Sequence, residues 1–414
     1  MRHAAAGSGG ALKGTRLAVI GAGPVGLEMA LVAGAAGYDV RVYEAGRLAE
    51  HVRRFADISL FTPFAMNSTE ATRGRLRRAG AALPPDDALL TAGGLAARYL
   101  GPIASLPELQ GRIHESCRVA AIGRDGRSFL LRVESPEGSR LDGADVVVDA
   151  SGVVASPLAT GPGGMAALRE DELGGRVDRH LLPTRAEARA RFGGRRVLLI
   201  GGGHSAATAL TEFDAMTSEG GGPARVTWVR RIGEGPPFLE RAGDTLPERL
   251  HLARRANSVA ARATWLEAMP GRTILAYEPL ADGSLRIRFR ESGAREAAPV
   301  VDRVLALVGY RPDTGLYRDL RVHLCYDTDA PMALAAALLA ARAADPAQAA
   351  GDCLAQTTHG PETLRTTEPD FYVIGAKSYG RAPDFLLRVG YEQVREVAEL
   401  LSRTRSENAV EGAV

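Results

Sequence analysis

Lysine is almost missing from this chain. Of the 51 Lys and Arg residues among 414, only Lys13 and Lys377 are lysine. The arginines scatter over every segment, so the bias reads as codon or genome bias, and it makes Lys377 conspicuous. Cysteine is scarce too. Cys117, Cys325 and Cys353 lie far apart, with no C-x-x-C and no metal-ligand spacing, which argues against a disulfide framework or a zinc site and fits a reducing compartment. No apolar stretch approaches the roughly 20 residues that span a bilayer. The opening MRHAAAGSGGALKGT has no continuous apolar core, so it does not read as a secretory signal. A net charge of +2 is too balanced to point to a polyanion. The expected partners therefore include neither nucleic acid nor membrane, and the expected location is the cytoplasm.

What is present is a repeated nucleotide-binding pattern. A chain of 414 residues exceeds what one core usually serves, so two domains are the starting expectation. Arg16 to Ile20 (RLAVI) is an apolar run ending at Gly21. It is followed by a helical pattern through Leu27, Ala30, Leu31 and Ala35, and by a second run at Val40 to Tyr43. This is strand, tight turn, helix, strand. The order returns about 180 residues on, at Arg195 to Ile200, with a helix from His204 to Phe213 and a strand at Arg225 to Val229. A Gly-rich loop, MTSEGGGPA, is expected between that helix and strand. Val146 to Asp149 and Val304 to Val308 suit buried parallel strands, while Phe129 to Val133 and Leu285 to Phe289 alternate as half-exposed strands do. Helices are expected at Met332 to Ala344 and Tyr391 to Leu401.

Gly21-Ala22-Gly23-Pro24-Val25-Gly26 is G-x-G-x-x-G between strand and helix. The first glycine permits the tight turn, the second lets backbone approach a pyrophosphate, and the third lets the helix pack on the sheet, with the helix N-terminus facing the phosphates. Glu44 ends the second strand about 20 residues on, where a carboxylate accepts ribose hydroxyls. A Gly-rich turn in some other α/β protein is the competing reading. Gly201-Gly202-Gly203-His204-Ser205-Ala206 is the second cluster, G-x-G-x-x-A. Its second strand ends in Arg230-Arg231 with no acid, and arginine there suits a 2′-phosphate, which predicts NADPH over NADH. The alternative is that these are two more arginines in an Arg-rich chain. His204 opens a helix facing phosphates, so positioning is expected of it rather than proton transfer.

Two such units resemble the flavoproteins with two dinucleotide-binding domains: the flavin-containing, Baeyer–Villiger and N-hydroxylating monooxygenases and the pyridine nucleotide–disulfide reductases. Asp149-Ala150-Ser151-Gly152 is similar to the A-T-G segment that closes their FAD domain. Ala306-Leu307-Val308-Gly309-Tyr310-Arg311-Pro312 is similar to its second copy, and Tyr372-Val373-Ile374-Gly375 to the late strand that usually ends Gly-Asp beside the flavin. Here Ala376-Lys377 stands in place of that Asp. The resemblance implies an α/β chain of two Rossmann-like domains, the NADPH domain inserted into the FAD domain, with FAD and NADPH as cofactors. The expected division is a tail (1–14), an FAD part (15–155), a linker (156–189) that opens with the Pro/Gly-rich SPLATGPGG, an NADPH domain (190–300) and a second FAD part (301–414). Cofactor contacts are expected from Gly21, Gly23, Pro24, Val25, Gly26, Glu44, Arg53, Val119, Ala150, Ser151, Gly152, Gly375 and Lys377 on the FAD side. On the NADPH side they are expected from Gly201, Gly203, His204, Ser205, Ala206, Arg230 and Arg231. His51, Arg53 and Arg54 follow the Glu44 strand, and a solvated helix face is their alternative. Asp244 to Arg249 is a candidate cap over a substrate entrance.

Between chemistries the cysteines speak first. A dithiol relay needs two cysteines close in sequence, and none are. The single-cysteine variant similar to bacillithiol disulfide reductase carries its thiol inside the first glycine motif, where this chain reads Pro24-Val25. Cys353 remains a weak redox candidate. A monooxygenase needs no catalytic dyad, only a site that shields a C4a-peroxyflavin and places a small-molecule substrate near it. Yet the F-x-G-x-x-x-H fingerprint is missing, although His180 is available, which indicates a divergent branch. The expected function is thus an FAD-dependent, NADPH-oxidising monooxygenase. A reductase without CxxC is the alternative, and a non-catalytic flavin-binding protein is third. Lys377 is the candidate catalytic cation. A homodimer is compatible with this reading.

Overall fold

The computed structural model describes residues 14–233, 235–240, 244–290, 298–344, 358–382 and 385–411. They divide into two compact units: the described residues within Met1–Arg53, Thr62–Ala155 and Arg311–Val414 form unit 1, and those within Arg54–Phe61 and Ser156–Tyr310 form unit 2.

Unit 1 is built on a five-stranded parallel sheet. Its strands are β1 (Arg16–Ile20), β2 (Asp39–Tyr43), β3 (Ile113–His114), β7 (Val146–Asp149) and β16 (Phe371–Val373), in the order β16-β7-β1-β2-β3. The VVVD run is buried at all four positions because it lies in mid-sheet with both faces covered. The carboxyl ends come level: Ile20 pairs with Tyr43 and with Asp149, and Asp149 with Val373. A three-stranded antiparallel meander, β4 (Arg118–Asp125), β5 (Ser128–Ser135) and β6 (Gly138–Ala144), follows β3 in the chain. β5 alternates, and its inward Phe129, Leu131 and Val133 pack with Ala18, Ile20, Val147 and Phe371. Helix Pro24–Ala35 starts with proline at a position whose amide has no helical partner, and Leu27, Met29 and Leu31 are fully buried. Each such side chain contributes about 1.5–3 kcal/mol of burial. That helix packs against the C-terminal helix Leu387–Glu411, which is longer than the sequence pattern indicated.

Unit 2 repeats the plan. Its parallel sheet contains β8 (Val177–Asp178), β9 (Arg196–Ile200), β10 (Arg225–Arg230), β11 (Leu266–Pro270) and β15 (Arg303–Ala306), in the order β11-β10-β9-β15-β8. Helices His204–Ser218 and Pro247–Arg262 are buried with Val197, Leu199 and Trp228 on one side of that sheet. A small antiparallel sheet, β12 (Ile274–Pro279), β13 (Leu285–Phe289) and β14 (Val300–Val301), packs with Leu198, Ile200 and Val229 on the other.

Three expectations are corrected. Residues 156–189 are not a bare linker: β8 joins the parallel sheet beside β15, and buried Glu170 accepts from the Thr160 and Ala167 amides. Residues 301–310 belong to unit 2 because β15 pairs with β9. The helix from His204 runs on to Ser218, since Met216 is fully buried and Thr217 and Ser218 bond back to the carbonyls of Phe213 and Asp214. Among the described residues no helix is long and apolar enough to cross a membrane.

Candidate functional site

In unit 1 the three glycines of the first turn do three different things. Gly21 has φ +99°, and a Cβ there would lie 2.8 Å from the Ala150 carbonyl oxygen and 2.9 Å from the Ser151 Cα. A Cβ on Gly26 would overlap the Gly21 carbonyl oxygen, so glycine is what lets the helix begin so close to the turn. A Cβ on Gly23 would meet nothing within 4 Å. Gly23 caps the helix with no side-chain hydrogen bond, leaving amides of the first helical turn without intrahelical partners. The turn thus combines backbone open to close approach at Gly23 with helix-start amides that no capping side chain takes up.

Glu44, just past β2, closes the same turn. Its carboxylate accepts from the Ala22 amide at 2.8 Å and from the Gly46 amide at 2.9 Å, and lone pairs remain on both oxygens. Arg53 donates from Nε to the Leu48 carbonyl at 2.9 Å, which ties it to the loop after Glu44. Val119 is buried on β4, where the ladder to β5 shifts register. The Ala150 amide bonds the Ile20 carbonyl, and Gly152 follows at φ +71°. Gly375 abuts Val25, with a Cβ there falling 3.7 Å from the valine, and its amide donates to Gln393 Oε1.

Lys377 is buried rather than at the surface. Its Nζ lies 2.6 Å from Asp149 Oδ2 and 3.1 Å from Ser151 Oγ, and 5.3 Å above the Tyr317 ring. Burial, with Asp149 nearby, pushes the Tyr317 hydroxyl far above its ordinary value. Asp149, which completes this network, heads the Asp149-Ala150-Ser151-Gly152 segment but is not among the expected cofactor contacts.

The second turn, in unit 2, matches the first in its steric logic. Gly201 has φ +142°, and a Cβ there would overlap the Leu307 carbonyl oxygen, while Gly203 faces open space. Trp228 Nε1 donates to the Gly201 carbonyl at 2.8 Å. Ala206 is fully buried, and His204 and Ser205 are exposed at the helix start. The His204 ring meets Phe61 edge-on at 5.5 Å. Arg230 lies beside the turn: a Cβ on Gly202 would sit 3.7 Å from the Arg230 Cβ, and the Arg230 guanidinium lies 5.7 Å above the Trp228 ring. Arg230 Nε is buried without a hydrogen-bond partner. Arg231 is exposed.

Asp244 and Arg249 pair with each other at 2.7 Å at the start of helix Pro247–Arg262. His180 Nδ1 lies 3.0 Å from the Tyr310 hydroxyl, with the two rings stacked. Cys117 is half-buried and Cys325 buried, both as free thiols, and Cys353 lies outside the described residues. Among the described residues no group of three or more metal-ligating side chains is present.

No family model matches this sequence, and no curated protein matches it. Solved structures do match its fold. Bacillithiol disulfide reductase from Bacillus cereus shares 18% identity at a TM-score of 0.65, over 94% of this chain and 99% of its own. Ornithine N-hydroxylase from Kutzneria sp. 744, captured with reduced FAD, NADP+ and ornithine, shares 17% at 0.62, over 94% and 99%. Thioredoxin reductase from Lactococcus lactis shares 14% at 0.59, over 95% and 99%. The chain thus has the fold of the flavoproteins with two dinucleotide-binding domains.

Proposed function

We propose that this chain is an FAD-dependent, NADPH-oxidising oxidoreductase that works as a monooxygenase on a small molecule. The observation that carries the reading is the pair of strand–glycine turn–helix units with opposite charge at the end of the next strand: Glu44 in the first, Arg230 in the second. The donor sets fit two different dinucleotides. Open space above Gly23 with free amides suits a pyrophosphate, and the remaining lone pairs of Glu44 suit ribose hydroxyls. The orphaned Nε of Arg230 beside the second turn suits a 2′-phosphate, which a carboxylate would repel. Gly21, Gly23, Pro24, Val25, Gly26, Glu44, Ala150, Ser151, Gly152 and Gly375 would hold FAD. Gly201, Gly203, His204, Ser205, Ala206, Arg230 and Arg231 would hold NADPH. What FAD supplies when bound is a two-electron acceptor for NADPH and a reductant of oxygen.

The likeness to a disulfide reductase and to an ornithine hydroxylase is of similar strength. The oxygenase reading rests on the thiols: Cys117 and Cys325 are both unpaired, and no two cysteines are close in sequence. The test has two stages. Purified protein should carry yellow flavin, and Glu44→Arg should purify largely colourless while keeping its circular dichroism spectrum. Flavin retained at wild-type affinity by that variant removes Glu44 from the site. NADPH and oxygen consumption are then followed against amines, ketones, thiols and disulfides. Substrate-dependent oxygen uptake with an oxygenated product supports the proposal, and disulfide reduction without oxygen uptake replaces it with the reductase reading.

A further inference from the structure

We propose that Lys377 and Asp149 are a positioning pair that fixes the flavin cradle of unit 1 and sets the electrostatic balance at it, an inference that rests on the FAD reading above. The pair is fully buried, with the Lys377 side chain 1% exposed and that of Asp149 0%. Both carboxylate oxygens are engaged: Oδ2 takes Lys377 at 2.6 Å, and Oδ1 takes the Ser151 hydroxyl at 2.6 Å and the Ser151 amide at 3.0 Å. Ser151 Oγ also lies 3.1 Å from Lys377 Nζ, so three side chains close a ring. Burying two charges costs several kcal/mol per ion, and apolar residues of the same volume often do as well or better for stability. Such a pair is therefore better explained by what it places than by what it stabilises.

What it places follows from the sheet. Asp149 ends β7, Lys377 sits in the 3-10 turn Gly375–Tyr379 just after β16, and the two strands are neighbours. Ligands of open α/β sheets bind outside the carboxyl ends of the strands, the edge at which this pair lies. The loop after β7 passes over Gly21, and the loop after β16 meets Val25. Gln393 pins the second loop from behind, accepting from the Gly375 amide at 2.8 Å and donating to Ser378 Oγ at 2.9 Å. Lys377 and Asp149 thus clasp together the two loops that flank the first glycine turn. Because the charges cancel within the pair, Lys377 is not a free cation for the flavin. Its role is to neutralise Asp149 and to hold Ser151 and Gly375 in place.

The test separates placement from bulk stability by charge bookkeeping. FAD affinity and flavin midpoint potential are measured for wild type, Lys377→Met, Asp149→Asn and the double variant. Lys377→Met leaves a buried anion, which opposes added negative charge on the flavin and lowers the potential. Asp149→Asn leaves a buried cation and raises it. Each single variant should weaken FAD binding by about tenfold or more. The double variant should return the potential to near wild type. Ser151→Ala, which removes a small polar group and no charge, guards against unfolded single variants: it should weaken FAD binding several-fold while the apoprotein keeps its circular dichroism spectrum and a cooperative thermal transition. Potentials that move in the same direction in both singles, or do not move, overturn the proposal, as does unaltered FAD affinity in Ser151→Ala. A wild-type protein that takes up no flavin overturns the FAD reading together with it, whereas wild-type binding with unresponsive variants overturns the pair alone.

Discussion

Arg16 holds Asp145 by its backbone and its side chain at once: the Arg16 amide donates to Asp145 Oδ2 at 2.9 Å, and the guanidinium reaches both oxygens, Nε to Oδ2 at 3.2 Å and Nη2 to Oδ1 at 2.7 Å. Unit 2 repeats the clasp with Arg196 and Asp302, at 2.8, 3.2 and 2.6 Å. In both units the arginine begins the central strand and the aspartate immediately precedes its neighbour, β7 or β15. The duplication therefore reaches beyond the glycine turns to the opposite end of each sheet.

These clasps predict an acid-sensitive component of stability. The arginine hydrogen bonds hold both Asp145 and Asp302 below the usual carboxylate range. A carboxyl depressed in the folded state stabilises above its unfolded value of about 3.9, and that contribution is lost as pH falls through the lower folded value. The side chains are partly exposed, so each clasp is expected to contribute only about 1 kcal/mol. Asp145→Asn with Asp302→Asn should therefore lower Tm at neutral pH and flatten its decline below about pH 4. A Tm-versus-pH curve that merely shifts down in parallel would show that the clasps carry no proton linkage.

The glycines of the first turn should separate by assay. Gly26→Ala drives a methyl group into the Gly21 carbonyl and is expected to cost about 1–3 kcal/mol or more of stability, read as a Tm lower by several degrees without any ligand. Gly23→Ala meets open space, so the apoprotein should melt as wild type does, while FAD affinity falls sharply because the methyl occupies the phosphate approach. Equal Tm losses in the two variants would mean that the space above Gly23 is not where a ligand lies.

The second turn predicts coenzyme choice. Arg230→Ala with Arg231→Ala should raise KM for NADPH by about ten- to a hundredfold, the value of a charge-assisted phosphate contact, and change KM for NADH little. Arg230 should account for most of the effect, since it lies beside Gly202 with a buried unpartnered nitrogen whereas Arg231 is exposed. Equal small changes for both coenzymes would place the arginines outside the site.

The sequence revealed what repeats locally and hid what closes over distance. Strand RLAVI, the glycine turns, and the helix from Met332 to Ala344 follow from period, turn chemistry and apolar runs within a dozen residues. β3 has only two residues, too short for any period to register, yet it extends the sheet beyond β2 and its His114 carbonyl receives the Glu44 amide. Lys377 is conspicuous by its rarity and by standing where the resemblance expects an Asp, and neither signal names its partner. Its partner is 228 positions away in sequence, and no local pattern links an acid after three valines to a lysine after a Gly-Ala pair. Arg196 and Asp302 are hidden for the same reason, each looking like one more charge in a charged chain.

The thiols supply the remaining division between chemistries. Cys325 is buried in a small cluster with Ala330, Ala335 and Met332, where hydrogen bonding to Thr328 holds its thiol below the ordinary value. Cys117 is half-buried, and its amide donates to the Glu44 carbonyl at 2.8 Å, which places it beside the acid of the first turn. Replacing all three cysteines by Ser or Ala should therefore leave NADPH-dependent flavin reduction intact and most turnover with the true substrate. Stopped-flow absorbance near the flavin maximum reads the first, and steady-state coenzyme consumption reads the second. If Cys353→Ser alone abolishes turnover while flavin reduction by NADPH survives, electrons leave through a thiol and the reductase reading takes over. If Cys117→Ala alone lowers flavin content, the cause is lost packing of its side chain against the core that holds Tyr43 and Val119, and restored turnover on adding excess FAD would distinguish that structural effect from redox chemistry.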